Sequence, residues 1–294
     1  MTTTPHRPRP AWVPADLYPF ESRYADVDGC RLHHIDEGSG PVMLFLHGNP
    51  TWSFLYREII KALRDRFRCV ALDYPGFGLS TARPGYGFTA AEHAAVVERF
   101  VTEHLDLRDT TMMVQDWGGP IGFAVAGRHP DRFSAFVIGN TWAWPKSDVG
   151  TQLFSRLLGG PVGRRLIAQR NVFVERIIPG GVRRRTLPPA VMEAYRGPFP
   201  TPASRRPTAV FPHEILAARP FLAEVERGLP KLRDRRALIV WPTKDVAFRE
   251  PERKRWESLF PDHRTVLLEG AGHYMQEDAP DEIAAAIRDF GDRR

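Results

Sequence analysis

The sequence has few cysteines, and those present are poorly placed for paired chemistry. Its 294 residues contain two, Cys30 and Cys69, whose separation fits neither a CxxC motif nor a disulfide framework. The neighbouring histidines His33 and His34 do not form a ligand pair, because adjacent side chains in a strand point to opposite faces. We therefore expect no metal site and no bound cofactor.

A long apolar run is also absent. The longest apolar clusters, such as residues 42–46, have the length of buried strands and fall short of the roughly 18 residues typical of a membrane span. The first 20 residues lack the apolar segment of a secretory signal. With 43% hydrophobic residues, the chain can bury one large core or two modest ones. We expect a soluble, cytoplasmic protein without a membrane partner.

Lysine is scarce, although the chain is basic. The net charge is +6, and all but five of the 41 basic residues are arginine. The arginines are scattered between acidic residues, and the short clusters at 183–185 and 205–206 lack the interleaved aromatic residues that stack on bases. The composition therefore predicts an arginine-rich, solvated surface and no nucleic-acid partner.

Apolar segments alternate with helical patterns along most of the chain. Residues 22–36 alternate around Asp28 and Gly29, which is typical of a hairpin. Further strands are predicted at 42–46, 68–72, 111–115, 133–139, 237–241 and 264–268, and helices at 54–63, 89–104, 253–260 and 280–290, with another helix ending near residue 128. This order predicts an α/β fold, in which helices cover both faces of a mostly parallel central sheet.

The alternation stops near Asn140. Residues 141–215 contain several proline and glycine residues and two helix-like stretches, 152–158 and 188–195, without a clear strand. We interpret this segment as a helical cap inserted after the sixth strand. The predicted core then comprises residues 1–140 and 216–294.

Four loops at strand ends carry candidate catalytic residues. Asp116 lies in VQDWGG, a strand–turn–helix segment, at the position that the nucleophile takes in a G-x-S-x-G elbow. Asn49 follows the first central strand, where backbone N–H groups could form an oxyanion hole together with the N–H of Trp117. Asp245 and His273 follow the last two strands.

Each of these residues also has an ordinary structural interpretation. Asp116 could cap the following helix, and Trp117 could pack in the core. Asn49 and Asp245 could form turns. Their joint position at strand ends, in the chain order nucleophile, acid and base, favours catalysis. His273 is then the candidate base, and Asp245 is the acid that orients it.

Five segments resemble haloalkane dehalogenases of the α/β-hydrolase superfamily. They are HGNPTWSFLYR (47–57), DYPGFGLS (73–80), VQDWGGPIG (114–122), RNVFVERIIPGG (170–181) and AGHYMQEDAPDEI (271–283), and they span nearly the whole chain beyond its leader. The resemblance implies the α/β-hydrolase fold and the hydrolysis of haloalkanes to alcohol, halide and a proton. The expected ligands are a small apolar halogenated substrate and a halide ion.

The resemblance also assigns the catalytic residues. Asp116 would form a covalent alkyl ester, water activated by His273 would hydrolyse it, and Asp245 would complete the triad. Some subfamilies carry the acid as glutamate after the strand before the cap, where this chain has Asn140. The chain is therefore similar to the subfamily with an Asp–His–Asp triad.

That subfamily pairs asparagine with tryptophan at the halide, which assigns this role to Asn49 and Trp117. The resemblance also implies four pocket-lining residues in the cap, for which packing of cap helices on the core is an equally open interpretation: Phe154, Phe173, Phe211 and Pro212.

Three other functions stay open. A β-lactone decarboxylase of olefin biosynthesis uses the same residue types in the same places. An epoxide hydrolase shares the aspartate elbow but needs a pair of cap tyrosines, and the predicted cap contains only Tyr195. A ligand-binding α/β-hydrolase without activity would have no need of a complete triad. The sequence also leaves open the preferred substrate and whether the chain forms a homo-oligomer.

Overall fold

The computed structural model describes residues 9–292, so residues 1–8 and 293–294 lie outside it. The strands are β1 (Arg23–Val27), β2 (Cys30–Glu37), β3 (Val42–Leu46), β4 (Arg68–Leu72), β5 (Thr110–Asp116), β6 (Phe133–Thr141), β7 (Arg236–Pro242) and β8 (His263–Leu268). The bounds of β3 and β4 are those predicted. Strands β5 to β8 are longer than predicted by one or two residues at one or both ends.

Within the described range these eight strands form one sheet in the order β1-β2-β4-β3-β5-β6-β7-β8. The pairs β1–β2 and β2–β4 are antiparallel, and every later pair is parallel. Strands β3, β4 and β7 are buried along nearly their whole length, as expected for strands covered on both faces. The mostly parallel sheet predicted from the sequence is confirmed.

Some helices pack directly on this sheet, and others pack on neighbouring helices. They are α1 (Arg57–Leu63), α2 (Ala90–Arg99), α3 (Gly118–Arg128), α4 (Val149–Gly159), α5 (Pro161–Arg170), α6 (Ile178–Gly181), α7 (Pro189–Arg196), α8 (Arg206–Ala217), α9 (Arg219–Gly228), α10 (Glu250–Leu259), α11 (Met275–Asp278) and α12 (Pro280–Asp292). Helix α1 packs on α12, whereas α2 and α9 pack on α3. Over residues 9–292, no helix is both long and apolar enough to cross a membrane.

Local sequence chemistry explains two of the element boundaries. The turn between β1 and β2 places Asp28 and Gly29 at φ values of +50° and +73°, as a two-residue hairpin turn with positive φ requires. The Thr89 side chain accepts a hydrogen bond from Glu92 N, and the Glu92 side chain accepts one from Thr89 N. This capping box begins α2.

Helices α4 to α8 follow β6, in the region predicted as a helical cap. Both α4 and α5 pack on α8. Helix α8 continues to Ala217, so the predicted boundary after residue 215 falls in its last turn. The two predicted helical stretches correspond to α4 and α7, whereas α5 and α8 were not predicted. The division into core and cap itself stays a prediction.

A buried ion pair links α1 to the segment that follows the last strand. Arg57 Nη1 and Nη2 donate to Glu277 Oε1 and Oε2 at 2.5 and 2.9 Å. Tyr195 Oη donates to the same carboxylate at 2.6 Å, and Arg185 Nη2 donates at 2.7 Å. Burial would raise the pKa of Glu277, but the Arg57 charge and these hydrogen bonds hold it below its ordinary value. Because Glu277 lies in α11, the pair fixes the chain just beyond His273.

We predict that Arg57→Leu lowers the free energy of unfolding by about 3–5 kcal/mol, because the Glu277 carboxylate stays buried without its main partner. The matched control is Arg66→Leu, which breaks a surface pair with Asp292 and should leave the unfolding midpoint nearly unchanged, because solvent screens the pair. Urea unfolding at neutral pH measures both variants. Equal losses in the two variants would contradict the structural role of the buried pair.

Candidate active site

The backbone turns sharply where β5 meets α3. Asp116 ends β5 with a φ of +50°, in the left-handed region that residues other than glycine rarely adopt. Neighbouring segments approach closely here. A Cβ atom at Gly48 would lie 2.3 Å from Asp116 Oδ1, and one at Gly119 would lie 1.9 Å from Thr141 Oγ1. This strained strand–turn–helix has the form of the nucleophile elbow expected from the sequence.

The Asp116 carboxylate lies against the loop after β3. Its Oδ1 accepts a hydrogen bond from Asn49 N at 2.8 Å, and Thr141 Oγ1 donates to its backbone carbonyl at 2.5 Å. Burial raises the pKa of Asp116, while the charge of His273 and the backbone N–H groups of Asn49 and Trp117 oppose that rise. The carboxylate is therefore held by N–H donors on one oxygen, and its Oδ2 faces His273.

His273 lies in the loop after β8, between two acidic side chains. Its Nδ1 is 3.0 Å from Asp245 Oδ2, and its Nε2 is 3.9 Å from Asp116 Oδ2. Asp245 follows β7, and its Oδ1 accepts a hydrogen bond from Ala247 N at 2.7 Å. Burial alone would lower the pKa of His273, but the negative charges of Asp245 and Asp116 raise it above its ordinary value. Burial would raise the pKa of Asp245, but His273 and the nearby donors hold it below its ordinary value.

Two amide side chains support this pair. Asn140 Nδ2 donates to Asp245 Oδ2 at 2.5 Å and to the His273 carbonyl at 2.8 Å. Gln115 Nε2 lies 3.3 Å from the same carbonyl and 3.2 Å from His273 Nε2. Sequence reasoning noted Asn140 only as a replaced acid, and it missed Gln115. A polar residue in the otherwise apolar end of β5 was the available signal for Gln115.

His47, directly after β3, secures the loop that carries Asn49. Its Nδ1 donates to Gly48 O at 2.9 Å, and its Nε2 accepts from Tyr74 N at 3.1 Å. Burial lowers the pKa of His47 to about 4, which keeps the ring neutral so that Nε2 can accept. The ring therefore has a positioning role that the sequence did not reveal.

The two predicted halide donors lie beside Asp116 and below α8. Asn49 is buried, and its Nδ2 donates to the Thr208 carbonyl in α8 at 3.3 Å. Trp117 is buried between Phe211 and Trp142, with ring centroids 4.8 and 4.7 Å away. Among residues 9–292, no protein acceptor pairs with Trp117 Nε1. Trp117 Nε1 and the second hydrogen of the Asn49 amide are therefore left without a protein acceptor in the described part of the chain, because an amide NH₂ carries two hydrogens.

The four predicted pocket residues occupy different environments. Phe211 and Pro212 are buried in α8, and Phe211 contacts Trp117. Phe173 is buried in a separate apolar cluster with Ile167 and Ala209. Phe154 lies in α4 and is 40% exposed. Contact with the site is therefore seen for Phe211, and the pocket role of all four stays a prediction.

Comparisons with known proteins agree with this fold. The model of the α/β hydrolase fold family matches residues 41–280. The chain is 52% identical over 273 residues to haloalkane dehalogenase 2 of Mycobacterium tuberculosis, covering 92% of this chain and 95% of that protein. It is 31% identical to a cis-3-alkyl-4-alkyloxetan-2-one decarboxylase of Shewanella oneidensis, covering 93% and 89%. Haloalkane dehalogenase DbeA of Bradyrhizobium superposes with a TM-score of 0.84 at 26% identity, covering 92% and 97%.

A sheet of this order, with an acidic elbow and a histidine after the last strand, defines an α/β hydrolase. Within that superfamily the chain belongs to the haloalkane dehalogenase family. Both expectations from the sequence are confirmed.

We predict that Asp245→Asn lowers turnover of a bromoalkane by about 10²–10⁴-fold, because the imidazole loses its orienting charge. Because Asp245 raises the pKa of His273, its loss should also move the acid limb of the pH–rate profile to lower pH. Asn140→Ala is the matched variant. It removes one donor to Asp245 and should cost about tenfold or less, equal to about 1.4 kcal/mol. A harmless Asp245→Asn with a severe Asn140→Ala would refute this triad.

Proposed function

We propose that this protein hydrolyses carbon–halogen bonds of haloalkanes through a covalent ester on Asp116. The observation that carries the proposal is a carboxylate at the elbow beside a tryptophan donor without a protein acceptor. A serine at the elbow would have to lose its proton before attack, whereas a carboxylate is already charged near neutral pH.

In the first step, Asp116 Oδ2 attacks the carbon that carries the halogen. The new C–O bond forms as the carbon–halogen bond breaks, and the halide leaves with the bonding electron pair. Asn49 Nδ2 and Trp117 Nε1 are the groups proposed to receive the halide. Both donors are neutral, so they stabilise the anion without a full positive charge that would slow its release.

In the second step, water attacks the carbonyl carbon of the Asp116 ester. His273 Nε2 takes the proton of that water, and Asp245 stabilises the imidazolium that results. Negative charge develops on Asp116 Oδ1, where Asn49 N already donates at 2.8 Å. As the tetrahedral intermediate collapses, its C–O bond to the alkyl group breaks, and the leaving alkoxide takes the proton from the His273 imidazolium to become the alcohol. The remaining proton of the attacking water is released to solvent, which restores the Asp116 carboxylate.

A β-lactone decarboxylase is the second candidate. It is supported by the 31% identity to the decarboxylase of Shewanella oneidensis, although identity to the mycobacterial dehalogenase is higher, at 52%. Parallel assays of bromoalkanes and long-chain β-lactones with the same preparation separate the two. Higher kcat/KM for β-lactones would make decarboxylation the main activity.

The geometry disfavours an epoxide hydrolase. Such an enzyme needs a cap tyrosine to protonate the alkoxide, but Tyr195 Oη donates to Glu277 in a buried network with Arg57. A ligand-binding protein without activity would not require His273 to be poised between two carboxylates.

The expected ligands are accordingly a small apolar halogenated substrate and a halide ion. The absence of nucleic-acid and membrane partners stays a prediction, as do a cytoplasmic location and the oligomeric state. Pairing of many surface arginines with carboxylates, as in Arg128 with Glu98 and Arg253 with Glu257, supports a surface without a nucleic-acid site.

We predict that Asp116→Ala abolishes halide release from 1-bromobutane, because the nucleophile is removed, and leaves the fold intact, because the smaller side chain removes a buried charge and adds no clash. Asp116→Asn is the isosteric control, and its initial rate of halide release should be equally low. Halide release and circular dichroism measure activity and fold. Activity of Asp116→Ala near that of the parent would refute the assignment.

We predict that His273→Phe releases one equivalent of halide and then stops, because carboxylate attack needs no base whereas ester hydrolysis does. Intact-mass spectrometry after incubation with a reactive bromoalkane should detect the alkyl adduct at Asp116. Unmodified protein, with substrate binding demonstrated, would contradict the two-step scheme.

A further inference from the structure

The middle of α8 contains a proline, and this frees a carbonyl above the active site. Pro212 lies inside the helix and has no N–H, so it cannot donate to the carbonyl four residues before it. That carbonyl belongs to Thr208, which is fully buried. A buried carbonyl without a partner is costly, so another donor is needed.

Asn49 supplies that donor. Its Nδ2 lies 3.3 Å from Thr208 O, although the two residues are 159 positions apart in the chain. The amide could be turned the other way only by placing Asn49 Oδ1 against a second carbonyl oxygen, which would be repulsive. Asn49 Oδ1 has no hydrogen-bond partner within the described residues, so no other contact dictates the orientation of the amide.

The same turn of α8 also touches the second halide donor. Phe211 packs on Trp117, and the Pro212 carbonyl accepts a hydrogen bond from Ser155 Oγ of α4 at 2.6 Å. The turn 208–212 is therefore held in place by α4 while it contacts both Asn49 and Trp117. A change in the conformation of this turn would therefore move Asn49 and Trp117, the proposed halide donors.

We propose that Pro212 is a positioning residue for Asn49. By withholding a helix N–H, Pro212 leaves the Thr208 carbonyl to Asn49, and this bond sets which end of the Asn49 amide faces the site. The effect on halide affinity rests on the proposed function, whereas the hydrogen-bond exchange between the cap helix and Asn49 does not.

The hydrogen bond is tested by a double-mutant cycle on unfolding. In the parent protein, Asn49→Ala orphans the Thr208 carbonyl and lowers the unfolding midpoint. In Pro212→Ala, the new N–H satisfies that carbonyl, so the further loss from Asn49→Ala should shrink to about half or less. Pro207→Ala is the matched control, because an N–H in the first turn of α8 has no i−4 acceptor within the helix. In that background the loss from Asn49→Ala should be unchanged.

Halide affinity tests the consequence for the site. Bromide titration, followed by tryptophan fluorescence and by calorimetry, should give a dissociation constant about tenfold higher in Pro212→Ala, with Pro207→Ala unchanged. Pro212→Val restores the N–H with a bulkier side chain, so it should weaken bromide similarly if the N–H is the cause. Pro212→Val also replaces Pro212→Ala in both experiments if Pro212→Ala does not fold.

Additive losses in the unfolding cycle, or parent-like bromide affinity in both Pro212 variants, would overturn the proposal. Coupling in the unfolding cycle without any bromide binding by the parent protein would instead leave Pro212 as a positioning residue and refute the halide site. The failure of the inference and the failure of the proposed function are thus distinguishable.

Discussion

The left-handed backbone of Asp116 is the constraint on which the rest of the site depends. A non-glycine residue at a φ of +50° costs about 1–3 kcal/mol, and it persists only where the surroundings enforce it. Here Thr141 binds the Asp116 carbonyl, and Asn49 N binds the carboxylate. The absence of a side chain at Gly48 gives the carboxylate its space. The ends of three parallel strands, β3, β5 and β6, thus hold the Asp116 carboxylate in place.

The electrostatics of the site follow from the same closeness. Burial opposes every charge here, so each charged form must be stabilised by a neighbour. Asp245 and Asp116 flank His273 and raise its pKa, which favours the imidazolium that the proposed ester hydrolysis requires. At the opposite end of the Asp116 carboxylate, the donors are neutral N–H groups. His273 therefore lies between two negative charges, whereas the proposed halide site offers only neutral hydrogen-bond donors.

The sequence predicts those parts of this arrangement that a local pattern encodes. The apolar run at 42–46 gives β3 its bounds, and the strand-end positions of Asp116 and His273 already indicate that the two side chains meet. The sequence does not predict α5, because the glycine and arginine residues of this helix obscure its helical periodicity. Nor does the sequence predict the bond from Asn49 to Thr208, because that bond depends on where α8 lies relative to the loop after β3. Phe154 shows the same limit, since a helical pattern alone does not tell which face meets the site.

Nucleophilic attack by the Asp116 carboxylate is tested most directly by a single turnover in oxygen-18 water, with the protein in excess over a bromoalkane. If Asp116 attacks carbon and water later attacks the Asp116 ester, the alcohol from the first turnover contains ordinary oxygen. One oxygen-18 atom then resides in the Asp116 carboxylate, where peptide mass spectrometry detects it. An alcohol labelled in the first turnover, together with unlabelled Asp116, would mean that water attacks the substrate directly and would contradict covalent catalysis.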